Sequence, residues 1–365
     1  MSSLENQLTG KPRVHVLGLG SIGLFTAHAL LETTSKPVVT LLLHRESLLD
    51  SYQQSGRRIV LETTNGETVS HDGYELEIYK EGRWYTGSTG QDTPTVVDTE
   101  IDHLIVSVKA IKTVAALTPL RYRLSRRSTI LFLQNGCGML DEVNERLFPD
   151  PEFRPNYITG VVSHGVTLHA PFHVRHMGFA AMSLGLVPHP LQAAETLPAT
   201  VELNNSREYL LNALPTAPRL NATTYPYLEL LQLQFEKLAT NAFCNPLCAL
   251  NDAKNGFLFT IPQTRRKLLT EISNIVLALP ELKGTAGVRE RFEVDKLEAT
   301  VCDILMKTSD GTCSMVWDLR AGRETEIEYI NGYWVRRGEE LGIPTPLNKE
   351  LVDQILRKNR RRSQK

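Results

Sequence analysis

The stretch RVHVLGLGSIGLFTAHALLE, residues 13–32, limits the fold more than any other. A short apolar run leads into Gly18-Leu19-Gly20-Ser21-Ile22-Gly23, and a helical pattern follows at once. That is a GxGxxG turn set between a strand and a helix, the context in which it binds a dinucleotide. Gly18 permits a tight turn, Gly20 lets backbone approach a pyrophosphate, and Gly23 lets the helix pack on the strand. The N–H groups at the helix start are then free to meet phosphate oxygens. A turn that merely contains three glycines is the bland alternative, and the strand before and helix after argue against it.

The same form recurs downstream. VVTLLLHR (38–45), HLIVSVKA (103–110) and TILFLQNG (129–136) are apolar runs that end in polar or turn residues. Runs of this kind read as buried parallel strands, and helical segments between them complete a βαβ rhythm. YITGVVSHGVTLHA and VRHMGFAAMSLGLV are expected to continue the sheet as antiparallel edge strands. Residues 57–102 carry hairpin chemistry, TTNGET and YKEGRWY, and read as a β-rich insertion. Residues 186–206 read as a loop. From Tyr225 onward the apolar spacing becomes helical throughout. The expected fold is α/β: a Rossmann-type dinucleotide-binding domain over residues 1–225, then an all-helical domain over 226–365 with a basic, frayed and solvated tail, LRKNRRRSQK.

Composition removes several function classes. A net charge of −1 over 365 residues gives no electrostatic footprint for nucleic acid. No segment approaches the roughly 18 apolar residues of a membrane span. Five cysteines without a CxxC pair argue against a disulfide framework or a structural zinc site, so no metal is expected. The start, MSSLENQLTGKPR, lacks an apolar leader and has little of a transit peptide's arginine content, so the cytoplasm is the expected compartment, with a mitochondrial one as the alternative that composition leaves open. The sequence sets no oligomeric state, and a homodimer is compatible with it.

Candidate site residues lie at strand ends and on one helix. The second strand ends at Arg45, whose planar fork suits the 2′-phosphate of NADP(H). Glu46 follows and would suit the ribose hydroxyl of NAD instead. Lys109 and Asn135 end the next two strands, where ligands of open α/β sheets bind; each alone reads equally as a turn residue. His164, His169, His173 and His176 crowd one stretch without a carboxylate or cysteine, and strand alternation would scatter them, so solvated or hairpin histidines are expected. In KLATNAFCNP (237–246), Lys237, Asn241 and Asn245 recur every fourth residue among apolar neighbours. They form a polar stripe on a helix that reads as buried. Buried polar groups need partners, so the stripe points to an oxygen-rich small ligand. Pro246 is expected to bend or end that helix. Ser314, Asp318 and Glu326 lie near the start of a long helix, where acidic residues commonly serve the macrodipole.

With these residues in view, the sequence resembles the ketopantoate reductase family. GLGSIG, the Arg45 strand end, SVKA and LQNG agree in order and rough spacing. KLATNAFCNPLCAL and SMVWDLRAGRETEIEYINGY are the more specific motifs. The likeness runs from the glycine loop to about Pro346 and leaves out residues 57–102 and the basic tail. It implies reduction of a small 2-keto acid, with hydride from NADPH and a proton from Lys237. By the same resemblance Asn241, Asn245, Asn255 and Ser314 bind substrate. Glu326 lies near cofactor and lysine, and Lys109, Asn135 and Gly165 contact the cofactor. The family often has Asn where this chain has Gly311, so one substrate hydrogen bond is altered. Two alternatives therefore stand beside ketopantoate reduction: a reductase of another branched 2-keto acid or an imine, and a non-catalytic NADP(H)-binding regulatory or scaffolding protein.

Overall fold

The computed structural model describes residues 10–87, 93–189 and 201–363. It divides into two compact units. One comprises Met1–Gln134 with Asp141–Tyr227, and the other comprises Asn135–Leu140 with Leu228–Lys365.

The first unit is built on sheets. In chain order its strands are β1 (Arg13–Leu17), β2 (Val38–Leu43), β3 (Ile59–Glu62), β4 (Thr68–His71), β5 (Glu75–Lys80), β6 (Arg83–Thr86), β7 (His103–Val106), β8 (Thr129–Phe132), β9 (Asn156–Val162), β10 (Gly165–Ala170), β11 (His173–Gly178), β12 (Met182–Leu186) and β13 (Ala222–Thr224). Nine of them form one sheet in the order β13-β12-β9-β8-β7-β1-β2-β5-β6, and four form a second in the order β10-β11-β3-β4. The run β9-β8-β7-β1-β2-β5 is parallel. β6 and β12 pair antiparallel with β5 and β9. β7 and β8 are buried at every position, as strands covered on both faces must be.

The helix Ser21–Leu30 packs against β1 and β2 and also against β3, β10 and β11. Sandwiched between two sheets, it is buried continuously from Gly23 to Leu30, which explains why GLFTAHAL has no polar face. Two expectations change here. The hairpin β10–β11 leaves the main sheet and pairs with β3, so only β12 is an antiparallel neighbour of β9. And the 57–102 stretch is no appendage: β5 and β6 complete the main sheet, while β3 and β4 belong to the second.

The histidine cluster is also different from expectation. His164 and His176 are buried, 3.1 Å apart from Nδ1 to Nε2, and both rings pack on Phe25. Of the four, His173 is half-buried and only His169 is exposed. The hairpin's inward face rests on the sandwiched helix, and that contact joins residues far apart in sequence.

Of the expected 186–206 loop, residues 190–200 lie outside the described residues, as do residues 88–92 of the 57–102 stretch. Residues 201–206 are not loop: they open the helix Val201–Ala213, anchored by buried Leu210, Leu211 and Ala213.

The second unit is helical. Its long members are Tyr227–Asn251, Pro262–Ala278, Val294–Lys307, Ile327–Leu341 and Pro346–Ser363, with the short helix Ser314–Arg320 between them. Pro246 lies inside the first helix, which runs on to Asn251 instead of ending. The basic tail is helical through Ser363 rather than frayed. Lys358 donates to the carbonyls of Ala249 (2.9 Å) and Leu250 (2.7 Å), so a cation serves the C-terminus of the Tyr227–Asn251 helix. No described helix is long and apolar enough to cross a membrane.

Candidate active site

In the sheet unit the glycine loop has the geometry a dinucleotide requires. Gly18 has φ +101°, and a Cβ there would lie 2.5 Å from the backbone nitrogen of Val108. A Cβ on Gly23 would lie 1.8 Å from the carbonyl oxygen of Gly18. Both glycines are therefore required by packing alone. Gly20 differs: nothing lies within 4 Å of a Cβ placed on it, and it precedes the helix without a side-chain cap. Open space beside uncapped helical N–H groups is a cradle suited to pyrophosphate. Leu19, Ser21 and Ile22 are all partly exposed on this loop.

Two supports of this loop were not foreseen. Ser107 Oγ donates to Gly18 O at 2.7 Å. Gln134 Nε2 donates to Val108 O at 2.9 Å and Thr113 Oγ1 at 2.6 Å, tying the ends of β7 and β8 together. Both lie inside motifs quoted above, SVKA and LQNG, so a polar residue just past a buried strand was the available signal. Arg45 is exposed after β2, and the neighbouring Glu46 carboxylate lies 2.9 Å from Lys80 Nζ. Lys109 is half-buried and opens the turn Ala110–Lys112. Gly165 begins β10, exposed, opposite Gly178.

In the helical unit Lys237 Nζ donates to Asn135 Oδ1 at 3.0 Å. Asn135 reaches it because residues 135–140 pack with this unit rather than with the strand they follow. Gly136 makes that possible: at φ +94°, a Cβ would lie 2.7 Å from Tyr329 Cβ and O. The N–H of Cys137 then donates to Tyr329 O at 2.8 Å. Burial of the amine lowers the Lys237 pKa to about 8, against the opposing pull of the Glu326 carboxylate. Glu326 is itself buried, just before the helix Ile327–Leu341. Asn241 is half-buried and Asn245 buried on the lysine's own helix. A lysine poised near neutrality beside a carboxylate and amides can hydrogen-bond a carbonyl oxygen and then protonate it.

Comparison with known proteins shows the family. Residues 14–189 match the family "Ketopantoate reductase PanE/ApbA", and residues 229–359 match "Ketopantoate reductase PanE/ApbA C terminal". The chain is 30% identical over 359 residues to a Schizosaccharomyces pombe protein named "Probable 2-dehydropantoate 2-reductase", covering 95% of this chain and 96% of that one. The chain belongs to the ketopantoate reductase family. It is also 27% identical to the ketoisovalerate reductase BEA2 of Gibberella fujikuroi, covering 88% of this chain and 77% of that protein. Among solved structures, D-mandelate dehydrogenase with NADH and anilino(oxo)acetate superposes with a TM-score of 0.72 at 18% identity, covering 96% of this chain and 99% of that one. At that identity the likeness concerns the fold.

The ketopantoate reductase match to residues 14–189 includes 57–102, the stretch expected to fall outside the family. Members of the family are dinucleotide-binding reductases, and the family catalyses ketopantoate reduction.

The remaining expected substrate residues are distributed unevenly. Asn255 is buried, and its Nδ2 donates to Thr308 O at 3.1 Å while its N–H donates to Gly311 O at 3.0 Å. Gly311 thus holds Asn255 through backbone, and a Cβ there would meet Thr308 O at 3.0 Å. Ser314 is exposed at the first position of its helix. Asp318, flagged beside it, is buried and pairs with Arg323 at 3.0 Å.

Proposed function

We propose that this chain reduces ketopantoate to pantoate with NADPH. The observation that carries the reading is Lys237, held 3.0 Å from Asn135 with its pKa brought down to about 8. NADPH, when bound at the glycine loop, supplies the hydride for the ketone carbon. Lys237 hydrogen-bonds the carbonyl oxygen, stabilises the negative charge that develops there, and donates the proton. Asn135 holds the ammonium in place before substrate arrives. Glu326 keeps enough positive charge on Lys237 for it to act as an acid at neutral pH. Asn241 and Asn245, on the same helix face, orient the hydroxyl and keto oxygens of the substrate, with Ser314 at its carboxylate. Arg45 takes the 2′-phosphate, and the engagement of Glu46 by Lys80 supports NADP(H) over NAD. The reaction belongs in a reducing compartment, the cytoplasm, in keeping with five free thiols.

A second substrate reading is favoured by one observation. Gly311, exposed beside Asn255, removes a side chain that the family often has there. Without that side chain a hydrogen bond to a substrate hydroxyl is lost, which favours a branched 2-keto acid that lacks the hydroxyl, such as ketoisovalerate.

The test is NADPH oxidation with ketopantoate and with ketoisovalerate, for wild type and Lys237→Ala. Turnover of ketopantoate at the higher kcat/KM, lost in the variant while NADPH still binds, is the expected result. A preference for ketoisovalerate replaces the substrate assignment. Undiminished turnover by Lys237→Ala overturns the mechanism.

A further inference from the structure

Two neighbouring cysteines and a third, 65 residues further on, converge inside the helical unit. Cys244 and Cys248 are one turn apart on the Tyr227–Asn251 helix, so their thiols leave the same face. Cys313 immediately precedes the Ser314–Arg320 helix. The three sulfur atoms lie within 4.8 Å of one another. Cys244 and Cys248 are buried and Cys313 is half-buried. A fourth donor sits beside them: Asn255 Oδ1 is 3.3 Å from Cys244 Sγ and 3.8 Å from Cys248 Sγ. Its amide orientation is set from the other side, because Nδ2 donates to Thr308 O at 3.1 Å.

We propose that Cys244, Cys248, Cys313 and Asn255 form a binding site for one zinc ion. Tetrahedral zinc with Zn–S near 2.3 Å and Zn–O of about 2.0–2.2 Å has S···S edges of about 3.8 Å and S···O edges of about 3.5 Å. The two sulfur–oxygen separations, 3.3 and 3.8 Å, straddle the S···O edge, and the three sulfur atoms lie within 4.8 Å of one another, so an ion is accommodated by small side-chain shifts. Thiolate donors select zinc or cuprous ion over magnesium or calcium. Three thiolates around Zn²⁺ leave one residual negative charge and around Cu⁺ two, and in a buried pocket the smaller residue is favoured. The oxygen donor also suits zinc better than the softer cuprous ion. A disulfide is the rival use of these thiols. Residues one turn apart on a helix have Cβ atoms about 5–6 Å apart, beyond the roughly 3.5–4.5 Å that a disulfide spans. That removes the Cys244–Cys248 pairing.

The ligands adjoin residues of the proposed substrate site. Cys244 precedes Asn245 and Cys313 precedes Ser314. A bound ion therefore ties the lysine helix, the Asn255 turn and the Ser314 segment together. The metal site itself does not depend on which keto acid is reduced.

The experiment uses the full chain, reduced, stripped with chelator and titrated with Zn²⁺, then in a separate sample with Cd²⁺. The wild type should take up one Zn²⁺ per chain, melt at higher temperature with the ion, and show thiolate-to-metal absorption with Cd²⁺. Cys313→Ser should bind more weakly by over about 100-fold, more than the loss of an outer-sphere partner brings. Cys302→Ser, outside the trio, should bind as wild type does. Equal zinc affinity in wild type and Cys313→Ser overturns the site. So does a wild-type Cd²⁺ complex without thiolate absorption, a measurement that holds even if the variant fails to fold. Uptake of Cu⁺ but not Zn²⁺ overturns the choice of ion. Loss of keto-acid turnover with intact zinc binding would instead count against the proposed reaction alone.

Discussion

The side-chain amide of Asn331 donates to the carbonyl of Ala242 at 2.9 Å. In an unbroken α-helix that carbonyl would accept from residue 246, but residue 246 is proline and has no N–H. Asn331 supplies the missing donor from the helix Ile327–Leu341. It is fully buried, and Nδ2 also donates to Asn348 Oδ1 at 3.0 Å. Glu271 in turn accepts from Asn348 Nδ2 (2.9 Å) and from the N–H groups of Leu347 (2.9 Å) and Asn348 (3.1 Å). This buried polar chain accounts for the helix continuing past Pro246, with Lys237, Asn241 and Asn245 on one continuous face.

Asn331→Ala should therefore destabilise the chain by about 1–3 kcal/mol, because it leaves a buried carbonyl without a donor. Pro246→Ala restores an N–H at that carbonyl. In that background the loss from Asn331→Ala should shrink by about 1 kcal/mol. A denaturant double-mutant cycle measures the coupling. Strict additivity would refute the account of Pro246.

The pH profile of keto-acid reduction should follow Lys237. As the proton donor it must be charged, so kcat/KM falls as pH rises through its pKa of about 8. Glu326 opposes the desolvation that lowers this pKa. Glu326→Gln removes that support, so the alkaline limb should move to lower pH. A limb that stays put or moves upward would exclude the carboxylate as the stabilising charge.

Arg45→Ala should weaken NADPH by about 10–100-fold, the worth of one or two charge-assisted hydrogen bonds to phosphate, while NADH changes by about twofold or less. Fluorescence titration with both cofactors decides it. Equal losses for the two would remove Arg45 from the 2′-phosphate.

Acid should destabilise the sheet unit in two stages. Burial, with help from His71 and Arg219, lowers the His28 pKa to about 3, and burial lowers His103 and His176 to about 4. The unfolded chain titrates near 6.5, so below that pH it binds protons the folded chain refuses, and stability falls with falling pH. Glu77 adds a lower window. Burial works against its ionisation, but hydrogen bonds from His15 and Arg123 hold its pKa at about 2. Its stabilisation is present above about 4.5 and lost as pH falls towards 2. Melting temperature against pH should bend downward near 6.5 and again below 4.5. His28→Leu should flatten the first segment by up to about 1.4 kcal/mol per pH unit. An unchanged slope would show that His28 is not held neutral.

Much of the fold was legible because it rests on short-range pattern. The glycine loop, the apolar strands and the four-residue spacing of Lys237, Asn241 and Asn245 are features of ten to twenty consecutive residues. Helix and strand geometry turn each of them directly into a face or a turn. What stayed hidden was where each polar atom finds its partner. Pro246 read as a bend or an end of its helix, since Asn331 lies 85 positions away in the chain. His164 and His176 read as solvated because the helix that buries them is folded from residues 21–30. The tail read as frayed until Lys358 met the carbonyls of Ala249 and Leu250.

The amino-acid sequence by itself determined an α/β half with a dinucleotide turn, a helical half, and a polar stripe on one helix. Only the tertiary structure decided that Asn135 leaves its strand to hold Lys237, that Ser107 braces Gly18, and that Cys313 meets Cys244 and Cys248 beside Asn255. The reason is physical. Periodicity is set by backbone geometry within a turn or two, whereas a buried hydrogen bond is satisfied by whichever distant segment packing brings within 3 Å.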